Sequence, residues 1–259
     1  MSATVVRGLQ PPAQVLVTGA SSGVGLAAVR QLLAHSGVTR VFAVSRHASA
    51  CEALRTLAAQ APLQLVLLDA DLTDEKALSA LARQLADQTD ALHLVFHAAG
   101  VLHEGKLQPE KSVLQVNASS LQQVFAINAF APILLAAAVM PLLGHDQPCV
   151  FASLSARVGS IGDNRLGGWY GYRASKAAQN QLLKTFALEL VRHNPKACCL
   201  LLHPGTVDTP LSQPFQKRVP ASQMFTPERA ARQLLEIIAQ ARPHDSGSFL
   251  AWDGTAIAW

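Results

Sequence analysis

The chain has 259 residues, of which 50% are hydrophobic and 15% are charged, and its formal net charge is +4. This length suits one large domain or two small ones, and the apolar content is sufficient for a large core. The 21 Lys and Arg residues are scattered, with few aromatic residues among them, so we expect no nucleic-acid binding. We also expect no membrane segment, because the apolar runs look too short or too interrupted to cross a bilayer.

Residues 1–13 lack the long apolar region of a secretory signal, and we predict that they form a loose lead-in. The four cysteines form no CxxC pair and have no histidine at ligand spacing, so we expect neither a metal site nor a disulfide framework. The pair in "ACCLLLH" indicates buried thiols in a strand. Such cysteine usage favours a cytoplasmic location.

From residue 14 onward, short apolar runs alternate with longer segments of helical period. In chain order the apolar runs are "QVLVTG", "RVFAVSR", "LQLVLLDADL", "LHLVFHAAG", "PCVFASLS", "ACCLLLHPG" and "GSFLAW". The repeated order of strand, helix and strand predicts a parallel sheet with right-handed crossovers, whose strands are apolar throughout because both faces are covered. We therefore predict one α/β domain over residues 14–259. Its expected architecture is a doubly wound, Rossmann-type sheet of about seven parallel strands with helices on both faces.

The first strand ends in the glycine-rich segment "VTGASSGVG", which precedes a helix. Glycines at such a turn allow the backbone to approach a pyrophosphate, and the amides at the helix start then face the phosphates. The position in the first strand–helix unit favours a dinucleotide site over a purely structural turn. The residues predicted to contact the cofactor here are Gly19, Ser21, Ser22, Gly23, Val24 and Gly25.

The second strand ends in Ser45 and Arg46 rather than in an acidic residue. An acidic residue there would bind the ribose 2′-hydroxyl of NAD, whereas an arginine accommodates the 2′-phosphate of NADP. We therefore predict NADP(H) in preference to NAD(H), with an ordinary surface arginine as the alternative. After the third strand, Asp71 and Leu72 are placed to meet the adenine, or Asp71 caps a helix near Thr73.

The only two tyrosines lie together in "GGWYGYRASK". Lys176 follows Tyr172 by four residues in a segment of helical period, so both side chains share one helix face. A nearby ammonium group is expected to lower the pKa of the phenol and make it a tuned acid. Tyr170 has no lysine one turn on. We interpret Tyr170 and Trp169 either as walls of a pocket or as plain packing.

The segments "TGASSGVG", "YRASK" and "HPGTVDT" together resemble those of the short-chain dehydrogenase/reductase family, and the resemblance runs from about Val15 to Trp259. The closing segments are most similar to its carbonyl-reductase branch, which includes C-factor and Sniffer. The resemblance implies that Tyr172 protonates the carbonyl oxygen, that Lys176 binds the ribose, and that Asn128 anchors a proton-relay water. It further implies cofactor contacts by Ala98, Ala99, Gly100, Pro204, Gly205, Val207 and Thr209.

The sequence departs from the family pattern in two places. His97 stands where the family commonly has asparagine, and we interpret it as a core histidine rather than a catalytic one. The serine expected to stabilise the substrate oxygen falls at Ala156, counted back from Gly159. We predict that Ser155 takes that role, which requires the strand end to bend, while Ser153 and Ser160 are the alternatives.

We therefore predict an NADPH-dependent carbonyl reductase or alcohol dehydrogenase acting on a small ketone, aldehyde or quinone-type molecule. The alternative function is a non-catalytic NADP sensor on the same fold, which the alanine at position 156 favours. Leu102, Trp169, Tyr170 and a lid over residues 208–225 are expected to enclose the substrate. The long helices around Asn128 and Lys176 have apolar faces that either join subunits of a homo-oligomer or pack on the sheet.

Overall fold

The computed structural model describes residues 4–10 and 12–259. Positions 1–3 and 11 of the predicted lead-in lie outside the described residues. Within the lead-in, Val5, Val6 and Leu9 are buried and join the core on one face of the sheet. The described part of this segment is therefore packed onto the domain rather than loose, because its apolar side chains gain free energy on leaving water.

The apolar runs all form strands. Seven strands make one sheet in the order β3-β2-β1-β4-β5-β6-β9, and every pairing in it is parallel. β7 and β8 pair separately as a short two-stranded sheet. The strands are β1 (Ala13–Thr18), β2 (Val38–Ser45), β3 (Leu65–Asp69), β4 (Leu94–His97), β5 (Cys149–Leu154), β6 (Ala197–His203), β7 (Thr206–Val207), β8 (Met224–Phe225) and β9 (Ser248–Ala251).

The segments of helical period form the crossovers between these strands. The helices are α1 (Gly23–Leu33), α2 (Glu52–Gln60), α3 (Glu75–Ala86), α4 (Ala118–Phe125), α5 (Ala131–Leu143), α6 (Tyr170–His193) and α7 (Pro227–Gln240). The predicted doubly wound architecture with seven parallel strands is confirmed.

Two apolar clusters cover the two faces of the sheet, which explains why the strands read as continuous apolar runs. Val15 and Val17 of β1 point into the cluster that contains residues of α1 and α7. Leu16, between them, points into the cluster that contains residues of α3, α5 and α6. Because successive side chains of a strand alternate between faces, a strand covered on both sides must be apolar throughout.

α4 and α5 are continuous through a π-helical turn, Ala126–Phe130. The whole stretch Ala118–Leu143 is long and apolar enough to cross a membrane by length and composition alone, so the expectation that the apolar runs are too short or too interrupted is wrong for this stretch. Half of its most apolar window is buried. α5 contributes Leu135 and Val139 to the core beneath the sheet, as the core helix of a globular domain does.

The four cysteines are free thiols, and the three in strands are buried. Burial raises the pKa of Cys149 and of Cys198 to about 12, so both thiols remain protonated and apolar in character. The predicted core thiols are therefore confirmed.

Candidate active site

A cleft of about 740 Å³ opens at the carboxyl ends of the strands. This is the edge where the loops of a doubly wound sheet bind ligands. Predicted residues that line it include Gly19, Ser21, Ser22, Gly23, Val24, Gly25, Ser45, Arg46, Asp71, Leu72, Ala98, Ala99, Gly100, Leu102, Ser155, Trp169, Tyr172, Lys176, Pro204, Gly205, Val207 and Thr209. The cleft thus joins the predicted cofactor contacts to the predicted catalytic tyrosine and lysine.

The glycine turn closes tightly against the sheet. Gly19 has φ +66°, and a Cβ at this position would lie 2.7 Å from the backbone of Ala98 and Ala99. A Cβ on Gly25 would lie 2.2 Å from the carbonyl oxygen of Gly19. α1 begins at Gly23 with no side chain capping its first turn in the described structure, which leaves its amides open toward the cleft. A glycine turn with uncapped backbone amides at the start of a helix suits a pyrophosphate.

At the end of β2, Arg46 forms an ion pair with Glu104, with Nη2 and Oε1 3.0 Å apart. Both side chains are exposed, and both residues line the cleft. Ser45 Oγ is buried and lacks a hydrogen-bond partner within the described residues. His47 also lines the cleft and was missed by the sequence reasoning, although it directly follows Arg46.

Asp71 lies at the end of the cleft reached from β3. Its carboxylate accepts hydrogen bonds from the backbone N–H and the hydroxyl of Thr73, and these hydrogen bonds lower the pKa of Asp71. The residue that caps α3 is Asp74, which accepts from Lys76 N. The alternative interpretation of Asp71 as the helix cap is therefore wrong, since α3 begins at Glu75, four residues after Asp71.

Tyr172 and Lys176 lie on one face of α6, with Lys176 Nζ 6.0 Å from the centre of the tyrosine ring. The ammonium group donates to Leu154 O at 2.9 Å and to Gln179 Oε1 at 2.8 Å. Burial raises the pKa of Tyr172 to about 12 and lowers the pKa of Lys176 to about 7. The expected lowering of the tyrosine pKa is therefore wrong, because desolvation of the phenolate is the dominant effect.

Asn128 lies inside the π-helical turn and is buried. Its amide accepts from Val101 N and donates to Val101 O, both at 2.8 Å, and it also donates to Ser175 Oγ. These bonds tie the loop after β4 to α6. Asn128 does not line the cleft, so a role as anchor of a relay water stays a prediction, and its observed contacts are those of a loop anchor.

The end of β5 presents Ser155 and Ala156 to the cleft. Ser155 Oγ lies 2.6 Å from Asn180 Oδ1, and Asn180 Nδ2 is buried without a partner among the described residues. The opposite orientation of this amide would let Nδ2 donate to Ser155 Oγ, which frees the hydroxyl proton for a substrate oxygen.

Of the alternatives, Ser153 Oγ accepts from Gln179 and Ser160 Oγ accepts from the backbone of Asp163.

We predict that Ser155→Ala lowers kcat about tenfold, because the variant would lose the predicted hydrogen bond to the substrate oxygen, which contributes roughly 1–3 kcal/mol in the transition state. Ala156→Ser, added to the Ser155→Ala variant, should restore part of the lost kcat, since it places a hydroxyl at the neighbouring cleft position. Steady-state kcat with one carbonyl substrate measures both effects, and Ser160→Ala serves as a control outside the cleft. An unchanged kcat in Ser155→Ala would show that this serine has no catalytic part.

His97 is buried, as predicted for a core histidine, and its Nδ1 lies 2.8 Å from Thr18 Oγ1. Burial lowers the pKa of His97 to about 3, with a smaller contribution from the charge of Lys176. The imidazole is therefore neutral at physiological pH. It links the ends of β4 and β1 beneath the cleft.

An aromatic wall closes the other end of the cleft. The Trp169 ring meets the Tyr172 ring edge to face at 6.1 Å and the Phe215 ring at 5.1 Å, and His103 packs on Phe215 at 5.7 Å. Trp169 has φ +54°, a conformation that costs free energy for a bulky residue and that turns its ring toward the cleft. Tyr170 is 43% exposed and does not line the cleft, so its interpretation as a pocket wall is wrong.

Phe215 belongs to the 3₁₀ turn Gln213–Arg218 of the segment predicted as a lid. His103 Nε2 lies 3.1 Å from Pro210 O, which adds a polar contact between this segment and the loop after β4. Sequence reasoning did not name His103, and it included Phe215 only as part of the lid segment. Their positions depend on two loops that meet only in the folded chain.

The cleft contains a glycine turn whose helix has no side-chain cap, and it also contains a tyrosine–lysine pair. Together these features define a class, the nicotinamide-dependent oxidoreductases of the doubly wound fold. The family model of the short chain dehydrogenase matches residues 13–220. The chain belongs to this family, whose members are oxidoreductases that use a nicotinamide cofactor.

Among curated relatives, 1-hydroxy-2-glutathionyl-2-methyl-3-butene dehydrogenase of Rhodococcus sp. (strain AD45) is 35% identical over 190 residues, which cover 73% of this chain and 78% of that protein. The NADPH-bound carbonyl reductase from chicken fatty liver has a TM-score of 0.84 and 28% identity, covering 97% of this chain and 100% of that one. The carbonyl reductase Sniffer of D. melanogaster has a TM-score of 0.83 and 25% identity, covering 96% and 100%. The resemblance to this branch is therefore confirmed.

Proposed function

We propose that this protein is an NADPH-dependent carbonyl reductase that reduces a small ketone, aldehyde or quinone-type substrate. The observation that carries the proposal is the Tyr172–Lys176 pair, which faces the same cleft as the glycine turn. A protein that only bound the dinucleotide would have no use for an acid at that position.

Residues along the cleft suit each part of the cofactor. The amides of the glycine turn would hold the pyrophosphate, Arg46 the 2′-phosphate, and Lys176 the ribose hydroxyls, while Val207 and Thr209 would border the nicotinamide. When bound, the reduced cofactor supplies the hydride. Support for NADPH comes from Arg46 at the end of β2 and from the NADPH-bound carbonyl reductase at 28% identity.

Tyr172 would donate its proton to the carbonyl oxygen of the substrate. Because burial raises the pKa of Tyr172 to about 12, the phenol stays protonated across the neutral range. This state favours reduction of a carbonyl, whereas oxidation of an alcohol needs the phenolate. Ser155 would bind the same oxygen and orient it toward the phenol.

The aromatic wall supports a planar or aromatic substrate. Trp169 and Phe215 meet edge to face, which leaves ring surfaces along the cleft for an apolar molecule. Residues 208–225 would act as the lid that closes over it. In this role Phe215 carries the lid's contact with Trp169, so loss of the ring should weaken substrate binding more than NADPH binding.

The proposal is tested by following NADPH oxidation with a panel of diketones, quinones and aldehydes. We expect turnover with at least one class, and a lower kcat/KM with NADH than with NADPH. Tight NADPH binding without turnover across the panel would favour the alternative, an NADP sensor.

In the same assay, Arg46→Ala should lose most of the preference for NADPH by raising KM for NADPH alone. Glu104→Gln should lower the KM for NADPH, because the carboxylate that pairs with Arg46 competes with a 2′-phosphate. Arg30→Ala, which removes an exposed arginine that pairs with Glu228 on the surface, is the matched control. Equal kcat/KM values with NADPH and with NADH in the wild type would remove the argument for NADPH that rests on Arg46 at the end of β2.

A further inference from the structure

Gln179 is a fully buried residue on α6, three residues after Lys176. Its Oε1 accepts from Lys176 Nζ at 2.8 Å, and its Nε2 donates to Ser153 Oγ at 2.7 Å and to Leu154 O at 3.1 Å. Every hydrogen-bonding atom of the amide is therefore used. A buried amide that is fully satisfied holds its partners in one arrangement.

The orientation of this amide follows from its partners. Leu154 O is a backbone carbonyl and can only accept, so the amide nitrogen must face it. The oxygen must then face Lys176, whose ammonium group can only donate. Reversal of the amide would bring two donors together at Lys176 and two acceptors together at Leu154. The hydrogen-bonding partners thus place the Gln179 amide oxygen, an acceptor, against the Lys176 ammonium group.

We propose that Gln179 is a positioning residue of the active site, which fixes the Lys176 ammonium against the end of β5 and stabilises its charged form. Leu154 O, at 2.9 Å from Nζ, is the second acceptor of this cradle. Ser153 anchors the amide from the strand side, which couples the end of β5 to α6. Tyr172 and Lys176 keep their spacing because both sit on the helix that this anchor holds.

The surroundings of Lys176 make such a cradle necessary. The titratable groups that face it, in the part of the chain that the structure describes, are the Tyr172 phenol on α6 and the His97 imidazole on β4. No carboxylate is among them, and His97 is neutral. Burial lowers the pKa of Lys176 to about 7, so its charge near neutral pH depends on the dipoles of Gln179 and Leu154.

The proposal is tested first on the protein without cofactor, by titrating the side-chain nitrogen of Lys176 by NMR with nitrogen-15 lysine. Gln179→Leu should lower the pKa of Lys176 by about one pH unit, because the charged form loses an acceptor. Gln179→Glu should raise it by about one to three pH units, because a carboxylate favours the ammonium. The matched control is Gln181→Leu, an exposed glutamine on the same helix, which should leave the titration unchanged.

A purely structural role would not move the pKa in opposite directions in the two variants. Identical titrations in wild type, Gln179→Leu and Gln179→Glu, or shifts of the same sign, would overturn the proposal. If either variant fails to fold, Ser153→Ala replaces it, since it removes only the anchor of the amide. It should lower the pKa of Lys176 less than the loss of the whole amide does, and an unchanged titration in it would count against the proposal.

The catalytic consequence rests on the proposed reductase function. The alkaline limb of kcat/KM for carbonyl reduction should move to lower pH in Gln179→Leu and to higher pH in Gln179→Glu, and kcat at neutral pH should fall about fivefold in the former. Absence of turnover in the wild type would defeat the proposed function but leave the titration of Lys176 as the deciding measurement.

Discussion

Tyr172→Phe is expected to lower kcat for carbonyl reduction by about 10²–10⁴-fold, the usual contribution of a positioned general acid. The substitution removes only the hydroxyl, so the ring keeps its edge-to-face contact with Trp169. NADPH affinity should change little, because Lys176 and the glycine turn are untouched. Stopped-flow measurement of the hydride-transfer step, together with a fluorescence titration of NADPH, separates the two effects.

The matched control is Tyr170→Phe, which removes the other tyrosine hydroxyl of the chain. Tyr170 lies outside the cleft and is 43% exposed, so this variant should keep the wild-type rate. A tyrosine that merely packs would give equal rates in the two variants. Retention of more than one tenth of the wild-type kcat in Tyr172→Phe would show that another group delivers the proton.

Gly25→Ala is expected to destabilise the fold and abolish NADPH binding. The added Cβ would lie 2.2 Å from the carbonyl oxygen of Gly19 and 2.8 Å from its carbonyl carbon, which are backbone atoms that cannot rotate away. Relief requires α1 to move away from the turn that is proposed to hold the pyrophosphate. We expect a loss of about 1–3 kcal/mol or more in the free energy of unfolding, as in an overpacked core. Denaturation with urea and an NADPH titration measure the two losses.

Gly144→Ala is the control for this substitution. Gly144 also has negative φ, and a Cβ there would come no closer than 3.7 Å to Met140 O, which is ordinary contact. We therefore expect wild-type stability and NADPH affinity in this variant. Wild-type NADPH affinity in Gly25→Ala would mean that the turn does not hold the pyrophosphate.

The elements of the fold could be predicted because their signals are local. The apolar runs are strands for the reason seen at Leu16, which is buried on one face while its neighbours are buried on the other. The spacing of Tyr172 and Lys176 likewise sets their common helix face through helix geometry alone. Both kinds of inference need only the period of the secondary structure.

Three parts of the site depended on groups distant in sequence. The pKa of Tyr172 is raised rather than lowered because burial disfavours the phenolate, and this burial depends on the whole cleft. The Lys176 ammonium group is held by Leu154 and Gln179. Gln179 shares the helix face of Lys176 at i+3, a signal that the sequence offered, but its burial depends on β5. The ion pair of Arg46 with Glu104 joins two loops 58 residues apart.

The sequence by itself determined the parallel sheet, the glycine turn and the tyrosine–lysine pair. Each of these can be read from residues close together in the chain, through the period of a strand or a helix. Tertiary structure alone decided that burial keeps the Tyr172 phenol protonated, which acceptors hold Lys176, and which rings meet in the aromatic wall. These properties depend on desolvation and on contacts between chain segments, and both arise only when the sheet brings its loops to one edge.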